Sequence, residues 1–406
     1  MKTHRVLFLT IAVLAGFAAA HSTAQREAIN PRNFKPQGQP YNYAIRAGET
    51  LYISGQGSQT PEGKPPGTFE ERVKQCLQNV RAILRWGGMD LGNLASLHIY
   101  VTELRNLETL DRVYWQLIGA DPPARTILEV AALPEGNSIE ISGIAVADPN
   151  SKRAIWPARW PKSAHADPPG VLTGEMLYLS ALGAESVQVS GEVTDFPGQV
   201  KQALENVGEV LAAAGMSHRN LVWVNPYLDD FKQYAAMNKV YEAFFDFGNT
   251  PGRGTIQVTA LPSQQHVVFS GIAGSELSKR LAIRPRNMAP SSTASPGILY
   301  GDTLYLSAKS GFIPGQGIVT QDFELQLRQS MRNLLDGLEE AQMDFSNVVS
   351  AVVYLKDMKD YDRMNELYRT FFQADLPSRT TLQQSRDHET KTEEQMSFIA
   401  VREAKR

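Results

Sequence analysis

The chain contains a single cysteine, Cys76, in 406 residues, which excludes an intrachain disulfide and any cysteine-based metal site. Within "VKQCLQNVRAIL" it reads as a small apolar helix residue rather than a nucleophile. Histidine is scarce: seven residues, at 4, 21, 98, 165, 218, 266 and 388, no two of them four apart, so no metal centre is expected. Excess charge is missing as well. Against 40 Lys+Arg stand 43 Asp+Glu, the formal net charge is -3, and no five like charges run together. With no basic face carrying interleaved aromatics, nucleic acid is not an expected partner.

The one long apolar run, Val6 to Ala20, falls short of the ~20 residues a spanning helix needs, and no second such run follows. Preceded by a short basic start and followed by small residues, it reads as a secretory signal peptide over residues 1–24, with cleavage after Ala20 or Ala24. The expectation is export, periplasmic or secreted, with no membrane contact after cleavage. A retained N-terminal anchor is the alternative.

What the chain does have is itself three times over. "TLYISGQ" from Thr50 recurs as "MLYLSAL" from Met176 and "TLYLSAK" from Thr303. "QCLQNVRAIL", "QALENVGEVL" and "QSMRNLLDGL" start at Gln75, Gln202 and Gln329, and the helix tyrosines fall at Tyr114, Tyr241 and Tyr368. "PAR", "PGR" and "PSR" bring Arg125, Arg253 and Arg379. Four motifs in one order at a period of about 127 residues indicate tandem triplication, with units over 25–150, 151–277 and 278–406. The 42% hydrophobic content allows each unit a core of its own.

Each unit reads as α+β: a strand pair, an amphipathic helix, two further strands, a helix around the tyrosine, then strands. In the first helix Val73, Cys76, Leu77, Val80 and Leu84 give one apolar face to lay on a sheet. The proline-rich, basic stretches "DPNSKRAIWPARWPKSAHADPP" and "SELSKRLAIRPRNMAPSSTASP" read as linkers that wrap the surface. Three equal units on such linkers are expected to pack around a pseudo-threefold axis, one chain imitating a homotrimer.

In "ARTILEV" the alternation puts Arg125, Ile127 and Glu129 on one face, Thr126, Leu128 and Val130 on the other. A guanidinium keeps its charge, so if buried it demands an anion, and a planar carboxylate meets its fork with two charge-assisted bonds. Glu140, between Ile139 and Ile141, points away from the face of those isoleucines and is expected to share the arginine's face. An arginine for binding and a glutamate for proton transfer suit attack of water on a small carboxylated substrate. A structural ion pair between the two is the alternative. The position of Glu140 is taken by Val268 in the second unit and Gln395 in the third.

The motifs "YAIRAGETLYISGQ", "QCLQNVRAIL", "VYWQLI", "PPARTILEVAALP" and "IEISGIAVAD" together resemble the RidA (YjgF-type) family, each unit covering one family subunit. The resemblance implies chorismate-mutase-like α+β domains, assembled as a trimer with clefts between subunits. It also implies hydrolysis of reactive enamine/imine acids to 2-oxo acids and ammonia, without metal or cofactor. Carried over residue by residue, the carboxylate-binding arginine falls on Arg125 and the water-handling glutamate on Glu140. The N-terminal tyrosine falls on Tyr41, the serine-glycine of the second strand on Ser54 and Gly55, and the backbone contact past the arginine on Ile127. The asparagine before the helix tyrosine becomes Asp111, whose charge would repel an anion unless Arg112 or a proton neutralises it. The other units keep Arg253, Ser180 and Asn238, and Arg379, Ser307 and Asn365, as secondary clefts, but the tyrosine position reads Asp167 and Ala294 and the glycine becomes Ala181 and Ala308.

The leading expectation is therefore a cofactor-independent enamine/imine deaminase whose main site is built on Arg125 and Glu140 and whose partner is a small carboxylate-bearing substrate, in a monomeric pseudo-trimer. A non-catalytic binder of small carboxylates is the second reading. An endoribonuclease is the third, made weak by a pI of about 6.2 and the lack of a histidine pair.

Overall fold

The computed structural model describes residues 26–32, 34, 38, 40–162, 166–186, 195–372, 376–385 and 390–402. The signal peptide expected over 1–24 lies outside them.

The first unit runs β1 (Arg26–Ile29), β2 (Ala44–Ala47), β3 (Thr50–Gln56), α1 (Phe69–Trp86), β4 (Leu94–Val101), α2 (Leu107–Ile118), β5 (Ala124–Glu129) and β6 (Ile139–Val146). Its sheet has the order β1-β2-β3-β6-β4-β5, antiparallel except for the parallel pair β4 and β5. That parallel pair needs a crossover, and α2 supplies it. β2 turns into β3 over two residues, the first being Gly48 at φ 58, a conformation that favours glycine. Gly174 (φ 55) and Gly301 (φ 57) hold the corresponding hairpins of the other units.

α1 begins where Thr68 and Glu71 form a reciprocal capping box, and Val73, Cys76, Leu77, Val80, Ile83 and Leu84 are buried along one face. Each such side chain removed from water stabilises the unit by roughly 1.5–3 kcal/mol. Cys76 is buried among them, as its helix position suggested.

The second unit repeats the pattern with β7 (Lys152–Ile155), β8 (Gly170–Thr173), β9 (Met176–Gly183), α3 (Phe196–Ala213), β10 (Leu221–Leu228), α4 (Tyr234–Tyr241), β11 (Gly252–Arg253), β12 (Ile256–Gln257) and β13 (Val267–Gly274). The third has β14 (Arg280–Ile283), β15 (Gly297–Tyr300), β16 (Thr303–Ser310), α5 (Phe323–Glu340), β17 (Val348–Leu355), α6 (Tyr361–Arg369), β18 (Ser378–Gln383) and β19 (Glu394–Val401). Asp195 and Asp322 cap α3 and α5, accepting from the backbone N–H groups of Gly198 and Leu325.

Two expectations need correction. One strand, not two, separates the helices of each unit: β4, β10 or β17. The linkers are not merely surface wraps either. "KRAI" forms β7 and "RLAI" forms β14, each pairing with the next strand to open its unit's sheet. In both, short β-prone runs lie hidden among prolines and basic residues.

Besides the three cores under the helices, a buried cluster draws on all three units, with Tyr100 and Leu128 of the first, Tyr227 and Val258 of the second, and Tyr354 and Leu382 of the third. Backbone hydrogen bonds join the edge strands there, Glu129 N–H to the Ala260 carbonyl and Gln383 N–H to that of Ala132.

Candidate functional site

Strand parity decides which side chains meet. β4 pairs with β6 so that Ile99 opposes Ile141 and Val101 opposes Ile139, and all four lie in the helix-side core. Tyr100 opposes Glu140, so Glu140 looks the other way, toward the cluster shared by the units. β5 pairs with β4 so that Leu97 meets Arg125 and Ile99 meets Ile127. That places Arg125 on the helix side, its guanidinium carbon 4.2 Å from the centre of the Tyr114 ring. Arg125 and Glu140 thus stand on opposite faces of one sheet, and the expected pairing of the two does not occur.

The arginines instead sit at seams between units. The backbone N–H of Arg125 donates to Ser180 Oγ at 2.9 Å, that of Arg253 to Ser307 Oγ at 2.8 Å, and that of Arg379 to Ser54 Oγ at 2.9 Å. These contacts run from the first unit to the second, from the second to the third, and from the third to the first. Each serine also donates to a backbone carbonyl of its own unit, that of Pro168, Ser295 or Asn42. Ser54 therefore holds the seam, and its hydroxyl is spent there rather than on a ligand.

At the seam between the third and first units, a cleft of about 30 Å³ is lined by Tyr41, Gly55, Gly57, Gln59, Pro134, Glu135, Asn137 and Glu140 on one side and Tyr361, Arg379 and Thr381 on the other. Arg379 is 2% exposed, and among the described residues no carboxylate pairs with it. Its Nη2 donates to Asn365 Oδ1 at 2.5 Å, its Nε is buried with no partner, and the rings of Tyr41 and Tyr368 stand 4.9 and 5.0 Å away. Its Nη1 meets Met364 Sδ at 3.6 Å, so the charge is held by π faces, one amide and a thioether, with no carboxylate on the fork among the described residues.

Glu140 is 5% exposed, and burial pushes its carboxyl up to about 8 although the Arg379 charge pulls the other way. It accepts from the backbone N–H of Thr381. Glu140 sits over bare backbone: a Cβ built on Gly55 would come 1.8 Å from Glu140 Oε1. The other units carry Ala181 and Ala308 there, and they are the units in which the acid is Val268 or Gln395.

The seam of Arg125 is closed by the protein's own acids. Arg125 Nε donates to Asp167 Oδ2 at 2.7 Å and Nη1 to Asp111 Oδ1 at 2.7 Å. Burial raises the Asp167 carboxyl above its ordinary value in spite of the arginine. Asp111 is thus neutralised by Arg125, while Arg112 pairs with Glu70 at 2.8 Å. Ile127 lies in this unit's core beside the same seam. At the remaining seam Arg253, 6% exposed, donates to Asn238 Oδ1 at 2.8 Å and to the Tyr234 hydroxyl at 3.0 Å. The acid's place there is taken by Gln395, whose Nε2 donates to the Thr255 carbonyl at 3.0 Å.

Of the residues expected from sequence, Tyr41, Gly55 and Glu140 line one cleft with Arg379, and Asn365 holds that arginine. Arg125, Asp111 and Ile127 lie elsewhere, with Ser180. Thr381, Tyr361, Glu135, Gln59 and Asn137 were missed. Thr381 was within reach, being the third-unit counterpart of Ile127. Tyr361 opens α6, and the others come from turns and loops without periodicity. Among the described residues no cluster of His, Cys, Asp and Glu is arranged to hold a metal ion.

Known proteins bear on this geometry. The family model described as Endoribonuclease L-PSP matches residues 33–147, 160–273 and 285–391. A 2-iminobutanoate/2-iminopropanoate deaminase of Bos taurus is 37% identical over 27% of this chain and 82% of its own length. The RutC family protein y4sK of Sinorhizobium fredii is 36% identical over 26% of this chain and 85% of its own. The crystal structure of RidA from an Antarctic Psychrobacter is 29% identical, covering 30% of this chain and 98% of the RidA chain at a TM-score of 0.29. With three matches spread along its length, the chain belongs to the endoribonuclease L-PSP family of RidA/YjgF proteins, as three α+β units in tandem.

Proposed function

We propose that the cleft between the third and first units hydrolyses 2-imino acids, or the enamines in equilibrium with them, to 2-oxo acids and ammonia. One observation carries this reading: a buried arginine free of any described carboxylate shares a cleft with a buried carboxyl poised near neutrality. Relatives named as deaminases support it. Arg379 holds the substrate carboxylate in its fork. Glu140 takes a proton from water as the oxygen bonds to the iminium carbon, then gives that proton to the nitrogen of the carbinolamine. The C–N bond breaks, ammonia leaves, and the hydroxyl proton is released as the carbonyl forms. A group titrating near 8 serves both directions of transfer.

The Arg253 seam, with Gln395 in place of the acid, favours a second role there: binding of small carboxylates without turnover. The chain is further proposed to act as an exported, cofactor-free monomer, which mass by light scattering and the position of the mature N-terminus would check.

The test is ammonia release from a freshly generated 2-imino acid by the chain from Gln25 to Arg406, beside Arg379→Ala. Activity lost in the variant supports the reading. An inactive native chain overturns it.

A further inference from the structure

Beyond the cleft lies a pocket of about 220 Å³, lined by Phe34, Tyr43, Gln56, Asn79, Thr60 and Pro61 and sharing Gly57, Gln59 and Glu135 with it. The two spaces meet at Gln59 and Glu135, whose side chains are joined by a 2.8 Å hydrogen bond from Gln59 Nε2 to Glu135 Oε2. The space around Arg379 and Glu140 is far smaller, so a substrate with more than a short side chain must send it into this pocket.

Among the described residues the lining carries charge of one sign, that of Glu135. Gln56 Nε2 donates to the Ser54 and Gly55 carbonyls at 3.0 and 3.1 Å. Asn79 Nδ2 donates to the Gly57 and Gln59 carbonyls at 3.0 and 2.9 Å, while its Oδ1 accepts from Gln75. Because a backbone carbonyl only accepts, these bonds fix which way the two amides point. The donors of both are spent, which leaves the acceptors Gln56 Oε1, Gln59 Oε1 and the Glu135 carboxylate beside the hydroxyls of Tyr43 and Thr60, which can donate or accept. Among the described residues no lysine or arginine lines the pocket. Phe34 and Tyr43, edge to face at 5.0 Å, add an aromatic wall suited to a methylene stem and a cation.

Glu135 is placed there by an unusual backbone. It adopts φ 57 in the "LPEGN" turn, as Ser263 does at φ 59 in the second unit. The second unit keeps the turn without the charge.

We propose that this pocket is the side-chain subsite of the cleft and receives a cationic group, a guanidinium or an ammonium, so that the preferred substrates are 2-imino acids of basic amino acids. This rests on the deaminase reading for turnover but not for binding. The experiment therefore measures both. Calorimetry on the full mature chain compares 5-guanidino-2-oxopentanoate, 2-oxohexanoate and 2-oxoadipate, and kinetics compare the 2-imino acids formed in situ from arginine and norleucine.

The guanidino acid is expected to bind about tenfold more tightly than 2-oxohexanoate, the worth of one charge-assisted hydrogen bond. 2-Oxoadipate is expected to bind most weakly. Glu135→Gln should bring the first ratio close to one, and Glu135→Lys should invert the order of the guanidino and adipic acids. Equal affinities in the native chain, or a ratio unmoved by both variants, overturn the proposal. If the native chain hydrolyses no imino acid, the deaminase reading fails, while the dissociation constants still decide the subsite.

Discussion

Arg379 of the third unit and Glu140 of the first line one cleft, and the backbone N–H of Thr381, two residues beyond the arginine, donates to the glutamate's carboxyl. Strand β18 thereby carries both the guanidinium and the donor to the acid, so a shift of either unit along the seam disturbs both contacts.

Removing the two arginines should have opposite consequences. Arg379→Ala is expected to lower kcat/KM by about a hundredfold or more, since two charge-assisted bonds at roughly 1.5–3 kcal/mol each are lost. Arg125→Ala should leave activity near native but lower stability by about 1–3 kcal/mol, because Asp167 and Asp111 lose their shared cation while keeping some access to water. Steady-state kinetics beside thermal melts of both variants check this.

The pH dependence of kcat/KM should carry the signature of Glu140. Its carboxylate form receives the proton from water, so the rate is expected to rise through a limb near pH 8. Glu140→Gln should remove that limb and cost about a hundredfold or more in kcat.

The same variant should gain stability in alkaline solution. The Glu140 carboxyl titrates near 4.5 when unfolded and near 8 when folded. Below pH 4.5 it is neutral in both states. As pH rises the unfolded chain ionises first, so native stability falls progressively until the folded group ionises near pH 8. Glutamine escapes this loss, and the melting temperature of Glu140→Gln should exceed that of the native chain by a margin that grows from pH 4.5 to 8 and then levels off.

Gly55→Ala should separate folding from chemistry. Its Cβ would collide with Glu140 Oε1, so the carboxyl must swing away. The expected result is a folded chain with little turnover, and Gly55→Ala combined with Glu140→Gln should be no less active than Glu140→Gln alone. An active single variant would show that the carboxyl does not need its present position.

The triplication and the amphipathic helices were legible because periodicity survives in Val73, Cys76, Leu77, Val80 and Leu84 and in the repeated tyrosines. Which arginine shares a cleft with Glu140 was harder to see: it is Arg379, not Arg125. Two clues were present in the residues: Arg125 shares its parity with Ile127, a core side chain, whereas Glu140 has the opposite parity to Ile139 and Ile141. Read together they place the two on different faces. What no local pattern holds is which unit's edge strand meets which neighbour, since that depends on long-range packing between seams. The strands β7 and β14 were obscured because four residues among prolines give too short a pattern for an alternation to be seen.

The seam that carries Glu140 and Arg379 joins the first unit to the third, which a ribosome makes in that order. During synthesis the acid exists long before the cation that completes its cleft, and a polypeptide halted after its second unit would hold one arginine seam, that of Arg125 with Ser180, and no cleft of Glu140 with Arg379. The meeting of acid and arginine in one cleft becomes possible only once β18 has been made.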